Sequence, residues 1–395
     1  MKPITTQRLL ATALAATLSP TALALDPMGI RVGEGFRFTP SAELGLSHDD
    51  NFRALSVAKQ SSWITRVAPT FAVDGDNGKV KLGASYTALH DIFHSYRRYD
   101  NTDHLLSSQT LFRFDVRNRL DLNASYSKIE DTASLDQKFE SDRYRQGRLG
   151  ALYTYGADTA TGQIRLGMNY DRLRYDNGTD PVSNTRINAG KERNSTGLTG
   201  TFLYRVAPRT RALIEARYTD HDYVSNRLLD SSNTSLLVGA EWDATAIVSG
   251  SARIGRERKD FDLAGKPNAS TGMWEVGLSW APRTYSVFTL STRSGFDEGA
   301  DGADFIKTRS YSLAWDHGWA ERLSSKVSLT RAKYDYDRPG APRKDTVDMI
   351  GIGLTYKMRR WLDVGVGYRY TDSDSNQPIR TYERNVIGLT VNASL

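Results

Sequence analysis

The chain has 395 residues, a formal net charge of +6 and no Cys. The missing Cys excludes disulfide scaffolds, thiolate zinc sites, iron–sulfur clusters and Cys nucleophiles together. A hydrophobic content of 39 % without an internal apolar run of about 18 residues excludes a helical membrane protein, but not a β-barrel with a polar lumen.

Lys2 and Arg8 form a basic opening, residues 9–18 are apolar, and Ser19 and Pro20 break the run. Ala22-Leu23-Ala24 then has the small-x-small pattern of a cleavage site. This reads as an export signal over 1–24, too short to span a bilayer. A periplasmic segment is expected over 25–36 and a single barrel over 37–395. The modest positive charge is no argument for nucleic acid.

Beyond the signal the chain alternates with period two. Val80, Leu82, Ala84 and Tyr86 share one face, with Lys81, Gly83, Ser85 and Thr87 on the other. The same holds from Ile164 to Tyr170, from Trp274 to Trp280 and from Leu362 to Tyr370. Strict alternation means strands with one apolar and one polar face. About eighteen segments of roughly 10 to 16 residues meet the strand criteria. They begin near Phe38, Ser62, Lys79, Asp103, Arg119, Asp142, Thr161, Asn194, Thr210, Asn233, Ala246, Ser270, Tyr285, Ile306, Arg322, Thr346, Trp361 and Thr381. Such lengths suit tilted strands crossing a bilayer.

The connections alternate between short and long. Short ones are expected at 74–78, 117–118, 156–160, 208–209, 245, 282–284, 318–321 and 359–360. Long polar ones are expected near 48–61, 95–102, 132–141, 176–188, 224–231, 262–268, 298–304, 337–344 and 373–379. Short periplasmic turns and long extracellular loops define an all-β, up-and-down antiparallel transmembrane barrel. Segment 327–336 changes phase, with Val327 and Leu329 pointing one way and Ala332 and Tyr334 the other. A β-bulge would produce that reversal.

Aromatics gather at the ends of the apolar faces: Tyr86, Tyr126, Tyr155, Tyr170, Tyr218, Tyr356, Trp361 and Tyr370. Rings there anchor at headgroup level. In the final segment Ile387, Leu389, Val391, Ala393 and Leu395 form an outward apolar face. It resembles the C-terminal signal read by barrel-insertion machinery, with Leu where an aromatic residue is usual.

If apolar faces meet lipid, the other face lines the lumen. Inward candidates are Arg66, Arg113, Asp115, Arg148, Arg165, Arg205, Glu215, Arg217, Glu241, Arg253, Glu257, Glu275, Arg293, Asp363 and Arg369. Gly, Ser and Thr lie between them and leave room for water. The Arg excess suggests a preference for anionic solutes. An Arg–carboxylate network bracing the wall is the alternative. The only inward-folding constriction loop suggested by the sequence is 176–188, and most aromatics that can be placed face outward.

Enzyme chemistry finds little support. His90 and His94 share a strand face and His104 follows across a loop. Without a firm third ligand or supporting groups they read as polar strand-end residues, not a metal site. No nucleophile elbow, phosphate loop or dinucleotide fingerprint occurs. No cofactor and no metal are expected.

One stretch is more specific. The run from Phe38 to Leu44 leads into Asp49-Asp50-Asn51-Phe52-Arg53, followed by Pro69 in a second strand. This opening resembles that of the β-barrel porin family found beside exopolysaccharide synthesis genes, although the residue that usually separates the Asn and Phe is missing. The resemblance implies an outer-membrane conduit for exopolysaccharide secretion, working with or replacing a periplasmic polysaccharide-export protein. The polymer would be anionic, given the Arg set. A diffusion porin, for general or sugar uptake, and a structural or adhesive surface barrel are the alternatives.

Overall fold

The computed structural model describes residues 29–33, 35–133, 141–180, 184–243, 247–300, 302–338 and 340–395. The export signal expected at 1–24 lies outside them, as do the turn at Thr245 and parts of the 132–141 and 176–188 loops.

Eighteen strands form the wall. They are β1 (Phe36–Asp49), β2 (Ser62–Asp76), β3 (Val80–Phe93), β4 (Asn101–Arg113), β5 (Asn118–Asp131) and β6 (Asp142–Tyr155), then β7 (Gly162–Tyr175), β8 (Arg193–Ala207), β9 (Thr210–Tyr223), β10 (Ser231–Trp242), β11 (Val248–Phe261) and β12 (Ala269–Arg283), and finally β13 (Ser286–Glu298), β14 (Phe305–Ala320), β15 (Leu323–Asp337), β16 (Arg343–Arg359), β17 (Leu362–Ser375) and β18 (Tyr382–Ser394). Each pairs antiparallel with the next, and β18 returns to β1 from Val386↔Asp49 to Ser394↔Ser41. Closure removes the sheet edges that would otherwise expose unpaired backbone to lipid. Every strand starts within about three residues of its sequence expectation. Among the described residues there is no α-helix, and the short 3₁₀ turns lie in long loops.

Connections at one end have two to six residues and those at the other have five to seventeen. The short-turn end is therefore periplasmic and the long-loop end extracellular. Residues 29–33 hook beneath the wall at the periplasmic end, where Ile30–Arg31 pairs with Arg37–Phe38 and the Gly29 N–H donates to the Leu395 carbonyl at 3.1 Å.

The apolar faces point outward. Ile164, Leu166 and Met168 on β7 are 45 %, 55 % and 55 % exposed, while the alternate residue Gln163 is buried. In water such a belt would be costly; in a bilayer, lipid tails cover it. Irregular pairing occurs beside short turns, at Thr210/Arg211, Trp280/Arg283, Gly318/Ala320 and Lys357/Arg359.

The expected bulge in 327–336 is absent, because β15 keeps unbroken register with β16 from Leu323 to Tyr336. The phase change has another cause. Outward positions run from Val327 and Leu329 to Arg331, Lys333 and Asp335 as the strand rises above the lipid. Inward positions change to Ala332, Tyr334 and Tyr336, where loops supply apolar partners. The three clusters of buried apolar residues all lie at this extracellular mouth.

Candidate functional site: the lumen and its outer mouth

Side chains on strands three apart can meet only on the concave face of a closed wall. Arg165 on β7 bonds Glu241 on β10 at 3.0 Å, and Arg217 on β9 bonds Glu275 on β12 at 2.7 and 2.9 Å. These contacts identify the lumen face, and strand alternation extends that face along the wall.

The two pairs belong to one chain of charges. Arg253 reaches Glu241 at 2.7 Å and Glu215 at 3.6 Å, and Arg217 hydrogen-bonds Glu215. Three guanidiniums and three carboxylates thus alternate around the wall from β7 to β12. Their charges cancel locally, and fixed ion pairs of this kind hold neighbouring strands in register.

Most other sequence candidates are also paired on this face. Arg66 makes two 2.7 Å bonds to Asp91, Arg148 meets Asp171 at 2.8 Å, and Arg293 meets Asp297 at 2.6 Å. Arg113 grips Asp76 at 2.8 and 3.0 Å near the periplasmic mouth. Arg205 donates to the Asp158 carbonyl at 2.5 Å. Glu257 accepts from Asn233 at 3.1 Å and from the Phe296 N–H at 2.8 Å. Asp363 and Arg369 share the face without an ion pair among the described residues. Asp115 is an exception to the sequence reading: it lies in the exposed turn after β4, not on the lumen wall. There the N–H of Arg117 and the Asn118 side chain hold its carboxyl below the usual range.

The wall from β14 to β17 differs. Its central lumen positions are Ser310, Ser312 and Ala314, then Ser328 and Thr330, then Gly351, Gly353 and Thr355, then Gly365 and Gly367. Besides Arg369, the longer inward side chains there are Met349, opposite Thr330, and Lys326, which pairs with Asp316 at 3.6 Å.

The mouth is narrowed from two directions. Residues 50–61 fold inward, where the sequence pointed only to 176–188. The family-like motif does this. Asp49 takes 2.9 and 2.6 Å bonds from Arg384, and Asp50 clamps the main-chain and side-chain nitrogens of Asn385 at 2.7 Å. The Asn51 side chain donates to the Leu55 and Glu383 carbonyls at 2.9 Å and accepts from the Leu55 N–H. Phe52 is fully buried against Phe93, Tyr96 and Tyr99, with centroids 4.9 to 5.4 Å away. Arg53 bonds the Tyr99 hydroxyl and the Thr132 carbonyl. Ala54 reaches a cluster with Ala133 and Tyr382, so the loop crosses beneath the mouth from the β18 side to the end of β5. Pro69, the motif's last member, faces outward opposite Ala42.

The second narrowing comes from the β13–β14 tip. β13 pairs with β12 only as far as Ser294↔Trp274, although β12 continues upward. Freed from β12, the tip crosses the inner face of β11, where Glu257 takes the Phe296 N–H. Gly295 permits this approach, since a Cβ there would stand 3.0 Å from Glu257 Oε2. Glu298 then meets Lys259 at 2.7 Å, His221 at 3.0 Å and the Tyr223 hydroxyl at 2.9 Å.

Tyr99, Tyr223, Tyr336 and Tyr382, outside the set of rings expected to face outward, point inward at the mouth and are buried by the loops. His90, His94 and His104 are not gathered. They bond Thr102, Thr65 and Tyr86 respectively, and His90 and His104 face outward. No group of three metal-binding side chains occurs among the described residues. The sequence reading missed Arg384 and the carboxylate partners Asp91 and Asp171. Opposite charges at matching distances from a short turn could have revealed the Asp171 pairing, since Arg148 and Asp171 face each other across one hairpin.

A closed, outward-apolar barrel with a charged lumen and narrowed mouth is an outer-membrane channel. Residues 23–395 match the family described as "Putative beta-barrel porin 2", and the chain belongs to that family. Comparison with curated protein sequences gave no match. Among solved structures, OccAB3 of Acinetobacter baumannii is similar with a TM-score of 0.48 and 11 % identity, over 91 % of this chain and 99 % of that one. OpdL of Pseudomonas aeruginosa gives 0.45 and 13 %, over 91 % and 98 %. The siderophore receptor PirA of Acinetobacter baumannii gives 0.46 and 8 %, over 91 % and 80 %. None of these likenesses bears on what passes through the pore.

Proposed function

We propose that this porin is a passive conduit for exopolysaccharide secretion. The observation that carries the reading is the contrast within the lumen. One arc offers mainly small hydroxyl and glycine surfaces, and another holds its charges in fixed pairs. A sugar strand would meet many weak contacts and no tight site, as conduction requires. Arg369, left without a counter-ion near the paired Arg66 and Arg384, favours a weakly acidic polymer. The resemblance of the opening motif supplies the link to polysaccharide. Polymer synthesis or an inner-membrane transporter supplies the drive, since a passive wall has no motor. A periplasmic export protein is the partner this role calls for, and removal of a 1–24 signal near Ala24 is its export step.

A second reading, a diffusion porin for small solutes, gains from the inward fold of residues 50–61. Secreted polysaccharide in a strain lacking the gene, with and without its restoration, separates the two. Loss of extracellular polymer, periplasmic retention and rescue support the conduit. Unchanged secretion, with solute uptake in vesicles carrying the protein, supports the diffusion porin instead.

A further inference from the structure

The outer wall of β5–β7 carries a second charged feature, facing lipid and not the lumen. Lys128, Arg145 and Arg174 stand directly opposite one another in successive ladders. Like charges in that arrangement repel. Arg172 adds a fourth cation one outward position lower, opposite Gly147. Lys128 and Arg172 are exposed and make no hydrogen bond or ion pair among the described residues. The nearby carboxylates are Asp176, 2.6 Å from Arg145, and Glu130, opposite Arg143. The positive charge is therefore only partly answered.

Several other outward cations near the loop end are matched, although Lys333, opposite Arg309, and Arg256, on the Ser270 hydroxyl, have no carboxylate partner among the described residues. Arg331 holds Asp348 at 2.7 Å, Arg309 holds Asp335 at 2.8 Å and Arg258 holds Asp260 at 2.7 Å. The β5–β7 row differs in placing three cations in one line across three successive strands. It also surrounds a notch: a Cβ added at Gly147 would meet nothing within 4 Å. Across the ladders Gly147 lies between Tyr126 and Arg172, with Arg145 above it and the exposed Leu149 below. The upper rim of the notch is cationic and the lower rim is aromatic and apolar.

We infer that this notch binds a phosphorylated glycolipid of the outer leaflet, with its phosphate among Lys128, Arg145 and Arg172 and its acyl chains along Leu149 and Tyr126, while Arg174, which donates to the Leu173 and Arg193 carbonyls and to Asn194, adds only its charge. Position selects that source. The notch lies on the lipid-facing surface just above an aromatic residue, which is headgroup depth, and on the long-loop side, which is the outer leaflet. Guanidinium groups recognise phosphate by paired N–H donation.

The test uses the full-length folded protein in mixed micelles, with native mass spectrometry of bound bisphosphorylated lipid A. Its dephosphorylated form and phosphatidylglycerol serve as separate probes. The wild type retains the bisphosphorylated lipid preferentially. Each cation changed to Gln weakens retention by about fivefold at low salt, so K128Q/R172Q loses most of it. Gly147→Val fills the notch with all charges kept, and retention falls while electrophoretic mobility of the folded barrel is unchanged. Equal retention by K128Q/R172Q and the wild type overturns the inference. So does equal binding of the dephosphorylated lipid or of phosphatidylglycerol. If K128Q/R172Q fails to fold, Gly147→Val and the lipid comparison on the wild type still decide.

Discussion

The lumen has two arcs built on opposite plans. From β7 to β12 the wall carries long charged side chains locked into one alternating chain from Arg165 to Glu275. From β14 to β17 most central inward positions hold Ser, Thr, Ala and Gly, with Met349, Arg369 and the Lys326–Asp316 pair among them. The first arc spends its charge on its own rigidity, and the second leaves the space open. An Arg in a lumen is therefore no measure of anion preference until its partner is known. Arg217 and Arg369 look alike in sequence and occupy different electrostatic situations.

The sharpest way to break this contrast is Arg217→Met. It leaves Glu215 and Glu275 facing each other without their cation, at a cost on the order of 3 kcal/mol. A lower urea midpoint for the folded barrel in vesicles is expected, with partial recovery when Glu275→Gln is added. An unchanged midpoint would mean that the charged arc is not a brace.

Phe52→Ala comes next. It empties the aromatic pocket holding residues 50–61, worth about 3 kcal/mol of loop anchoring, and single-channel conductance should rise. Conductance equal to wild type would show that this loop does not set the width. Arg369→Ser should leave stability within about 0.5 kcal/mol, while the reversal potential in a salt gradient shifts toward cations. If the potential does not move, the open arc owes its selectivity to other groups. The smallest effect is expected at Arg331→Ala, which removes an exposed outer-face pair with Asp348 and should leave the urea midpoint essentially unchanged. A lower midpoint would mean that outward pairs brace the wall as lumen pairs do.

The barrel was legible because strand alternation and turn length are local signals. Val364, Val366 and Tyr368 disclose their face without knowledge of their neighbours. The inward direction of Arg165 was legible for the same reason. Its partner was not, because Glu241 lies 76 residues away and meets it only through closure. The mouth was misread where alternation met a changing solvent. Tyr334 and Tyr336 turn inward above the lipid, and local pattern alone makes that look like a bulge. Asp49 to Arg53 stood out as a motif, but its work depends on Arg384, Asn385 and Tyr99, which only the fold brings to it.

The seam between β18 and β1 joins residues 386–394 to residues 41–49, nearly the full chain apart. Every other ladder joins neighbours in sequence and can begin as a hairpin. This one cannot form until the last strand has been delivered, and loop closure over that distance is the slowest contact to search for. Until then both β1 and β18 present unsatisfied strand edges. Until the seam closes, the apolar outward face of β18 is the part of the chain that most requires shelter from water.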